Sequence, residues 1–541
     1  MTRLLEAAGV DALQWRVLVR AFLKIDFGGL RRIGDSRAAR RSAGALFFVA
    51  LIYFLSGFAP AIVIAGSPDL LLGATIMTTI VGFMVLSSLL VGEGLSIISP
   101  DDHAILGFRP VTSRTYFAVR LTTLFVRTVA IVSLVSLLPV VALLSKDGLH
   151  PIRALGGLLA AHGAGAAVTL GFVAGYGWLL RTAGPTRVLR VMSYAQFAVN
   201  MTVWLSFMLV TQGLQRRLLA GVRFSDAPWV LAYPGAWFAS VVQLAGGDFS
   251  AIPLAGTALA VLLLAVILRA ISGKLSLDYA AALGRLTTTA APQTKRASRS
   301  AWLGLLHRET RAVAILVRSQ FKNDIKFRLG LISLLPITLI YLMMGMRHES
   351  IGDPFVAGAP RGSEVGFIQI ALMFLPMTLR QTIVTSDAYR ASWLFYATPA
   401  DRTRLVLAAR DVITVFFLVP YLAFMAAIFA YFFGNVLHAI VHAFFLGFMS
   451  YLVLQFTIMI DPKLPFSMPP TKDTRGGMTF VLQLLVMFVG MAAYFLLTYV
   501  VYRSVIRLVI ATILFFTAAK VMSQMTRARV ERRVEGFAYL D

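Results

Sequence analysis

Apolar stretches of around twenty residues recur along this chain from Ala43 to Val521, each long enough to cross ~30 Å of hydrocarbon as a helix. That recurrence decides the fold class before any motif is considered. Hydrocarbon offers no hydrogen-bond partners, so the backbone of such runs must satisfy itself, and the reading is an all-α polytopic membrane protein. Spans are predicted at 43–65, 70–98, 115–145, 154–180, 191–212 and 251–271. A second set is predicted at 327–346, 364–386, 408–433, 436–460, 477–499 and 503–522. This gives about twelve transmembrane helices as two tandem six-helix bundles. The composition agrees, with 58% hydrophobic and only 14% charged residues, where soluble domains carry about 25% charged.

The halves also share sequence. Leu18, Val19, Arg20, Lys24 and Asp26 (LVRAFLKID) recur as Leu316, Val317, Arg318, Lys322 and Asp324 (LVRSQFKND), each time ahead of an apolar span. The stretch from Ser99 to Leu121 has a looser echo from Thr385 to Arg410. Two elements repeating in one order predict a membrane unit duplicated head to tail, a common construction of transporters. Five regions follow: an N-terminal region with an interfacial helix (1–42), a first bundle (43–272), a linker (273–308), a second interfacial helix with its bundle (309–522), and a tail (523–541). In the first interfacial helix Leu13, Val17, Leu18, Ala21, Phe22 and Ile25 are expected near one face, opposite Arg16, Arg20 and Lys24. Such a helix suits the headgroup level of a membrane.

The formal charge of +25 would fit a nucleic-acid partner, but the basic residues cluster between apolar spans and no finger, helix-turn-helix or RNA-binding signature occurs. They act instead as a topology signal. Arg31, Arg32, Arg37, Arg40 and Arg41 precede the first span; Arg181, Arg187 and Arg190 follow the fourth; Lys295, Arg296 and Arg299 lie in the linker. Arg527, Arg529, Arg532 and Arg533 follow the last span, which places both termini in the cytoplasm of a bacterial inner-membrane protein. Arg216, Arg217 and Arg223 fit poorly, because their loop (213–250) is expected outside as an interfacial element anchored by Trp229, Tyr233, Trp237 and Phe238. There is no cysteine, which excludes disulfides, thiolate metal sites and cysteine nucleophiles.

Two cytoplasmic hairpins carry the candidate functional residues. The first runs through Asp101, Asp102, Ile105, Leu106, Phe108 and Pro110, and the second through Asp387, Arg390, Trp393, Leu394, Phe395 and Pro399. Each combines an acidic turn, a short amphipathic run and a proline. A short apolar helix without reason to sit alone in cytoplasm suits a groove on a partner, or packing on its own bundle.

In this order of elements the chain resembles the membrane subunits of type-2 ABC exporters. The resemblance implies six spans per subunit, an amphipathic connecting helix, and a coupling helix between spans two and three that docks on an ATP-binding subunit. It further implies a short re-entrant hairpin near the outer mouth, where 225–249 would fall, and here two subunits fused in one chain. Arg20, Lys24, Asp26, Arg318, Lys322 and Asp324 would then belong to connecting helices. No G-x-x-x-x-G-K-[ST] phosphate loop occurs, so ATP would be bound by a partner, with two copies per chain. No cofactor is expected in this chain itself.

Charges near predicted span ends (Arg120, Arg127, Arg269, Arg380, Asp411, Arg507 and Lys520) are expected to snorkel or pair. His438 and His442 are four apart on one helix face, but position 439 is alanine where H-E-x-x-H needs glutamate. Glycines in span four (Gly163, Gly165, Gly171, Gly175 and Gly177) suit close helix packing. Two other functions stay open. An ion-coupled secondary transporter would want acids at mid-membrane, in which these spans are poor. A membrane enzyme acting on lipid-linked substrates would rest on Asp101, Asp102 and His103.

Overall fold

The computed structural model describes residues 9–27, 49–93, 108–183, 191–199, 201–202, 228–271, 307–324, 327–329, 351–356, 363–386, 389–468 and 476–534, with residues 6, 47, 106, 187 and 338. Among them the only extended pairing is a single bridge, and eight helices are long and apolar enough to cross a membrane. The chain divides into two compact units, Met1–Gln293 with Thr474–Gly477, and the remainder.

In the first unit, α1 (Ala12–Phe27) precedes α2 (Phe58–Gly66), α3 (Leu70–Glu93), α4 (Ser113–Ser145), α5 (Pro151–Ala183), α6 (Pro234–Ala245) and α7 (Ala251–Ile271). Its core forms where the inward faces of α3, α4, α5 and α6 meet. Ala74, Met77, Val81 and Val85 recur at helical spacing on α3 and pack with Val132, Val135, Ala160, Ala161, Ala239 and Val242. Small residues set the distances. A Cβ on Gly165 would lie 2.5 Å from Val132 Cγ2, and one on Gly163 would lie 3.2 Å from the Phe238 ring, so α5 approaches both α4 and α6 through its glycines. Gly175 has open space around it and takes no part in that packing.

Of the loop expected as an interfacial element at 213–250, residues 228–250 are described. α6 is a twelve-residue helix, about 18 Å long, too short to cross and packed against α3, α5 and α7. Ala236, Ala239 and Ser240 face inward and Phe238 is buried, while Trp229, Tyr233 and Phe249 are exposed. Thr78 Oγ1 donates to Gly235 O at 2.7 Å and Tyr233 OH donates to Thr79 Oγ1 at 2.9 Å, which ties the start of α6 partway along α3.

The second unit comprises α8 (Arg308–Asn323), α9 (Ser363–Val384), α10 (Arg402–Ile413), α11 (Val419–Phe433), α12 (Val436–Ile460), α13 (Gly476–Tyr499) and α14 (Val505–Val534). A π-helical turn, Thr414–Leu418, joins α10 to α11 into one 32-residue helix. Pro420 explains the widened turn, because proline lacks the N–H that a regular helix would direct at the Phe416 carbonyl. Beside it, α11 and α12 border an apolar groove of about 460 Å³ lined by Leu418, Leu422, Phe444, Gly447 and Tyr451. Gly434, at φ 63°, closes α11, and Asn435 then caps α12. The last helix continues well past the predicted end at 522: Thr526 and Val530 are buried, and Arg533 donates to Ile460 O at 3.3 Å.

Each amphipathic helix lies against the helix that follows its unit's hairpin, α1 against α4 and α8 against α10. Trp15 Nε1 donates to Thr122 Oγ1 at 3.1 Å, and the Arg120 guanidinium sits 4.2 Å from the Phe22 ring centroid. The expected apolar face is corrected accordingly: Val19 is buried against α4, while Leu13 and Val17 are exposed beside Arg20 and Lys24. In the second unit α8 packs on α10, and Val313 and Val317 are buried. We predict that Phe22→Ala costs about 1 kcal/mol of α1 docking through the lost cation–π contact. Amide exchange across 12–27 should then quicken about fivefold, while Leu13→Ala, at an exposed position, leaves it unchanged.

Candidate functional site

The two hairpins begin where the polypeptide leaves the apolar helices, and a cap opens the helix after each. In the first unit Thr112 accepts from Thr115 N at 3.2 Å and starts α4. In the second, Asp401 accepts from Arg404 N at 3.1 Å and starts α10. Asp101, Asp102, Ile105 and Asp387 lie outside the described residues. Leu106 is half-buried and its carbonyl accepts from Arg109 N at 2.9 Å, while Phe108 is 90% exposed and Pro110 is exposed. Phe108 therefore contributes almost its whole ring to solvent at the end of the unit where α4 begins.

The second hairpin is more ordered around its aromatic residues. A 3₁₀ turn, Tyr389–Trp393, runs into one helical turn, Leu394–Ala397. Trp393 and Leu394 are both more than half exposed, Phe395 is half-buried, and Arg390 and Pro399 are exposed. Tyr396 stacks under Arg402, whose guanidinium lies 4.6 Å from the ring centroid. Partial burial pushes the Tyr396 phenol up, and Arg402 opposes that shift. The hairpin's base is clasped by the loop after α12: Phe466 N donates to Ile383 O at 2.7 Å, and Ser386 N to Met468 O at 2.9 Å. Arg380, one of the charges expected to snorkel, donates to the Asp461 carbonyl in the same loop.

Each amphipathic helix is joined to its hairpin or to the helix that follows it. Gln14 Nε2 donates to Pro110 O at 3.2 Å, and Asp11 N to Thr115 Oγ1 at 3.1 Å. The counterpart in the second unit is an ion pair, Arg404 with Glu309 at 3.7 Å. Arg20, Lys24, Arg318 and Lys322 point outward, and Asp324 accepts from Phe327 N at 3.2 Å. The side chain of Asp26 is outside the described residues. Gln14 and Glu309 make the connection, yet neither belongs to the repeated residues that drew attention to these helices. Gln14 lies four residues and Glu309 seven residues ahead of the repeat in their own helices, one and two turns away.

At the opposite end of the second unit lies a cluster of titratable and aromatic side chains. Asp353 is buried; its Oδ1 accepts from Phe355 N at 2.9 Å and its Oδ2 lies 2.5 Å from His438 Nδ1. Phe355 stacks between the His438 ring at 4.5 Å and the Tyr502 ring at 4.2 Å. His442, one turn on, is buried with its Nδ1 2.9 Å from Tyr502 OH, and Phe429 and Phe433 meet the ring edge-on. The two histidines thus use their Nδ1 atoms on different partners, although they share a helix face. Among the described residues no three histidine, cysteine, aspartate or glutamate side chains are grouped to hold a metal ion. Asp353 sits in a loop with no periodicity, so its pairing with His438, 85 positions away, had no sequence signal beyond a lone acid.

Asp353 serves two donors at once, which predicts a graded response to substitution. Asp353→Ala leaves the Phe355 N–H and His438 without their acceptor and should cost about 1–3 kcal/mol. Asp353→Asn, which retains one carbonyl oxygen, should fall between that variant and the wild type. Thermal unfolding of the full chain in micelles orders the three.

No protein-family model, no curated protein and no solved structure matches this chain.

Proposed function

We propose that this chain is the membrane-spanning permease of an ABC-type transporter, an exporter driven by a separate ATP-binding subunit. The observation that carries the reading is the pair of hairpins, which expose Phe108, Trp393 and Leu394 beside the helices they introduce. Apolar side chains of this size presented on short turns fit a groove on a partner. In this reading the chain holds twelve spans as two six-helix units, and both termini and both hairpins are cytoplasmic. Each hairpin engages one ATP-binding subunit, so one chain recruits two. The internal repeat supports this stoichiometry, and the absence of a phosphate loop assigns ATP hydrolysis to the partner. The chain itself is then a translocation subunit without ATPase activity, resident in a bacterial inner membrane.

Coupling would run through the hairpins into the long helices. A displacement of the first hairpin would pull on α1 through Gln14 and on α4 through Thr112, both held to it by hydrogen bonds. In the second unit Arg402 and Tyr396 link hairpin to α10 directly. Phe108→Asp and Trp393→Asp would each place a charge in a docked contact, at a cost of several kcal/mol. Trp393→Asp should release more partner, because aromatic anchors of the largest area dominate interfaces. Co-purification of the ATP-binding subunit with each variant, at matched thermal stability, measures this; full retention by both variants would sink the reading. Orientation has its own test. In intact cells a cysteine replacing Leu149 should react with an impermeant thiol reagent, and one replacing Glu531 should not.

A second reading, transport coupled to protons, is favoured by the cluster of Asp353, His438, His442 and Tyr502, which brings together groups that can exchange a proton within a membrane unit. Uptake or efflux by the purified chain in liposomes under a proton gradient, without nucleotide, and its loss in Asp353→Asn would favour it over the ABC reading.

A further inference from the structure

The two histidines on one face of α12 have opposite surroundings. His438 has 32% of its side chain exposed, and its Nδ1 lies 2.5 Å from Oδ2 of the buried Asp353. His442 is 1% exposed; its Nδ1 lies 2.9 Å from Tyr502 OH, and its Nε2 is buried without a hydrogen-bond partner. Phe429, Phe433, Tyr494 and Tyr502 stand around the His442 ring at steep angles, with centroids between 4.9 and 6.5 Å away.

An imidazolium carries two N–H donors and no acceptor. On His442 one of them can donate to Tyr502, but the other would be buried among rings with no acceptor. Ring faces attract a cation, yet that gain is small beside the cost of dehydrating one. His438 meets the reverse conditions. A carboxylate holds its Nδ1–H, so a proton enters and leaves at Nε2, and its uptake gives the buried carboxylate a counter-charge. Among the described residues no lysine or arginine pairs with Asp353. Arg503 and Arg507, the cations that follow Tyr502 in the chain, are exposed, and Arg507 donates to Val500 O. Phe355 joins the two histidines. Its N–H donates to Asp353 Oδ1 at 2.9 Å, and its ring stacks on His438 at 4.5 Å and on Tyr502 at 4.2 Å. His442 thus holds Tyr502, Tyr502 backs Phe355, and Phe355 touches both Asp353 and His438.

We propose that proton exchange in this cluster belongs to the Asp353–His438 pair alone, and that His442 is a positioning residue, kept neutral, which seats the pair through Tyr502 and Phe355. In the exchange His438 takes a proton from water at Nε2 and becomes an imidazolium. Asp353 stays ionised throughout, so the pair passes from a net negative charge to none. The assignment rests on the reading of this cluster as a proton-exchanging site, and it names the residues that carry the proton.

The test reads ring protonation by nuclear magnetic resonance, on the full chain in neutral detergent micelles with isotope-labelled histidine ring nitrogens. Nitrogen shifts distinguish an imidazolium from the neutral ring, and the signals lost in His438→Gln and in His442→Asn assign the two residues. At about pH 5.5, within the range where histidines change charge, His438 should be cationic and His442 neutral. Asp353→Asn should lower the cationic fraction of His438 about twofold, for one opposite charge removed at contact distance. His442→Leu, which leaves Tyr502 without its nitrogen partner, should lower it as well. His442→Asn, whose amide can stand in for Nδ1, should restore it. Spectra are taken below each variant's unfolding temperature, so that an unfolded histidine is not read as a cationic one. A cationic His442, a neutral His438, or a His438 unmoved by Asp353→Asn would overturn the proposal. So would a His438 unmoved by His442→Leu, which makes His442 a packing residue. The spectra need neither a gradient nor nucleotide. Absence of proton-driven transport alongside the expected spectra would overturn the proton-coupled reading and support the assignment of the pair.

Discussion

Hydrocarbon supplies no hydrogen-bond partner, and the placement of many polar groups in the long helices follows from that. Hydroxyls within the long helices turn back on their own backbone, as Thr122 does on the Ala118 carbonyl at 2.7 Å and Thr512 on Leu508 at 2.8 Å. Others meet across helices, as Thr128 and Thr169 do at 2.8 Å. Charges are held near helix ends with partners of their own. Arg410 pairs with Asp411 at 2.7 Å and reaches Ser523, and Arg507 donates to the carbonyl of Val500 at 3.3 Å. Arg120 is held between Tyr116 and Phe22. The chemistry of each unit is therefore concentrated at its two ends.

The ends where the hairpins lie are built alike in the two units. Each combines an amphipathic helix, a hairpin presenting aromatic or aliphatic side chains, and the capped start of a following helix longer than a bilayer requires. The bonds differ in kind, a glutamine and a tryptophan in one unit and an ion pair in the other, but they join corresponding elements. An exposed ion pair such as Glu309 with Arg404 adds little stability by itself. Burial of Val313 and Val317 holds α8 in place, and the ion pair orients it.

The opposite ends are unlike. In the first unit a half-length helix, α6, enters among α3, α5 and α7, admitted by glycines and alanines. In the second unit α13 passes to α14 through residues 500–504, in which Val501–Arg503 form a single 3₁₀ turn. The place is taken by rings: Tyr502, Phe355, Phe429 and Phe433 around His438 and His442. A buried carboxylate is sustained there because it meets two donors, the Phe355 N–H and His438, and so avoids the cost of an unpaired charge. The short interval between α13 and α14 and the aromatic cluster are two aspects of one difference from the first unit.

The sequence by itself determined that the described chain is helical and where most long helices run, because a twenty-residue apolar run has no other way to satisfy its backbone in lipid. Spans predicted at 115–145, 251–271 and 436–460 lie within two residues of helices Ser113–Ser145, Ala251–Ile271 and Val436–Ile460. The repeated cations of α1 and α8 were equally legible, since charge and spacing are local properties. Three things were decided only in the folded protein. Which face of α1 is buried depends on α4, and Leu13 and Val17 are exposed on the side opposite the buried Val19. α6 is a buried half-helix because glycines on α5 leave room for it, and its aromatic residues alone pointed to a surface. Asp353 meets His438 because a loop folds back over α12, and no periodic pattern encodes a contact between residues so far apart in the chain. Periodicity reports the environment a segment needs, whereas partners are assigned by packing.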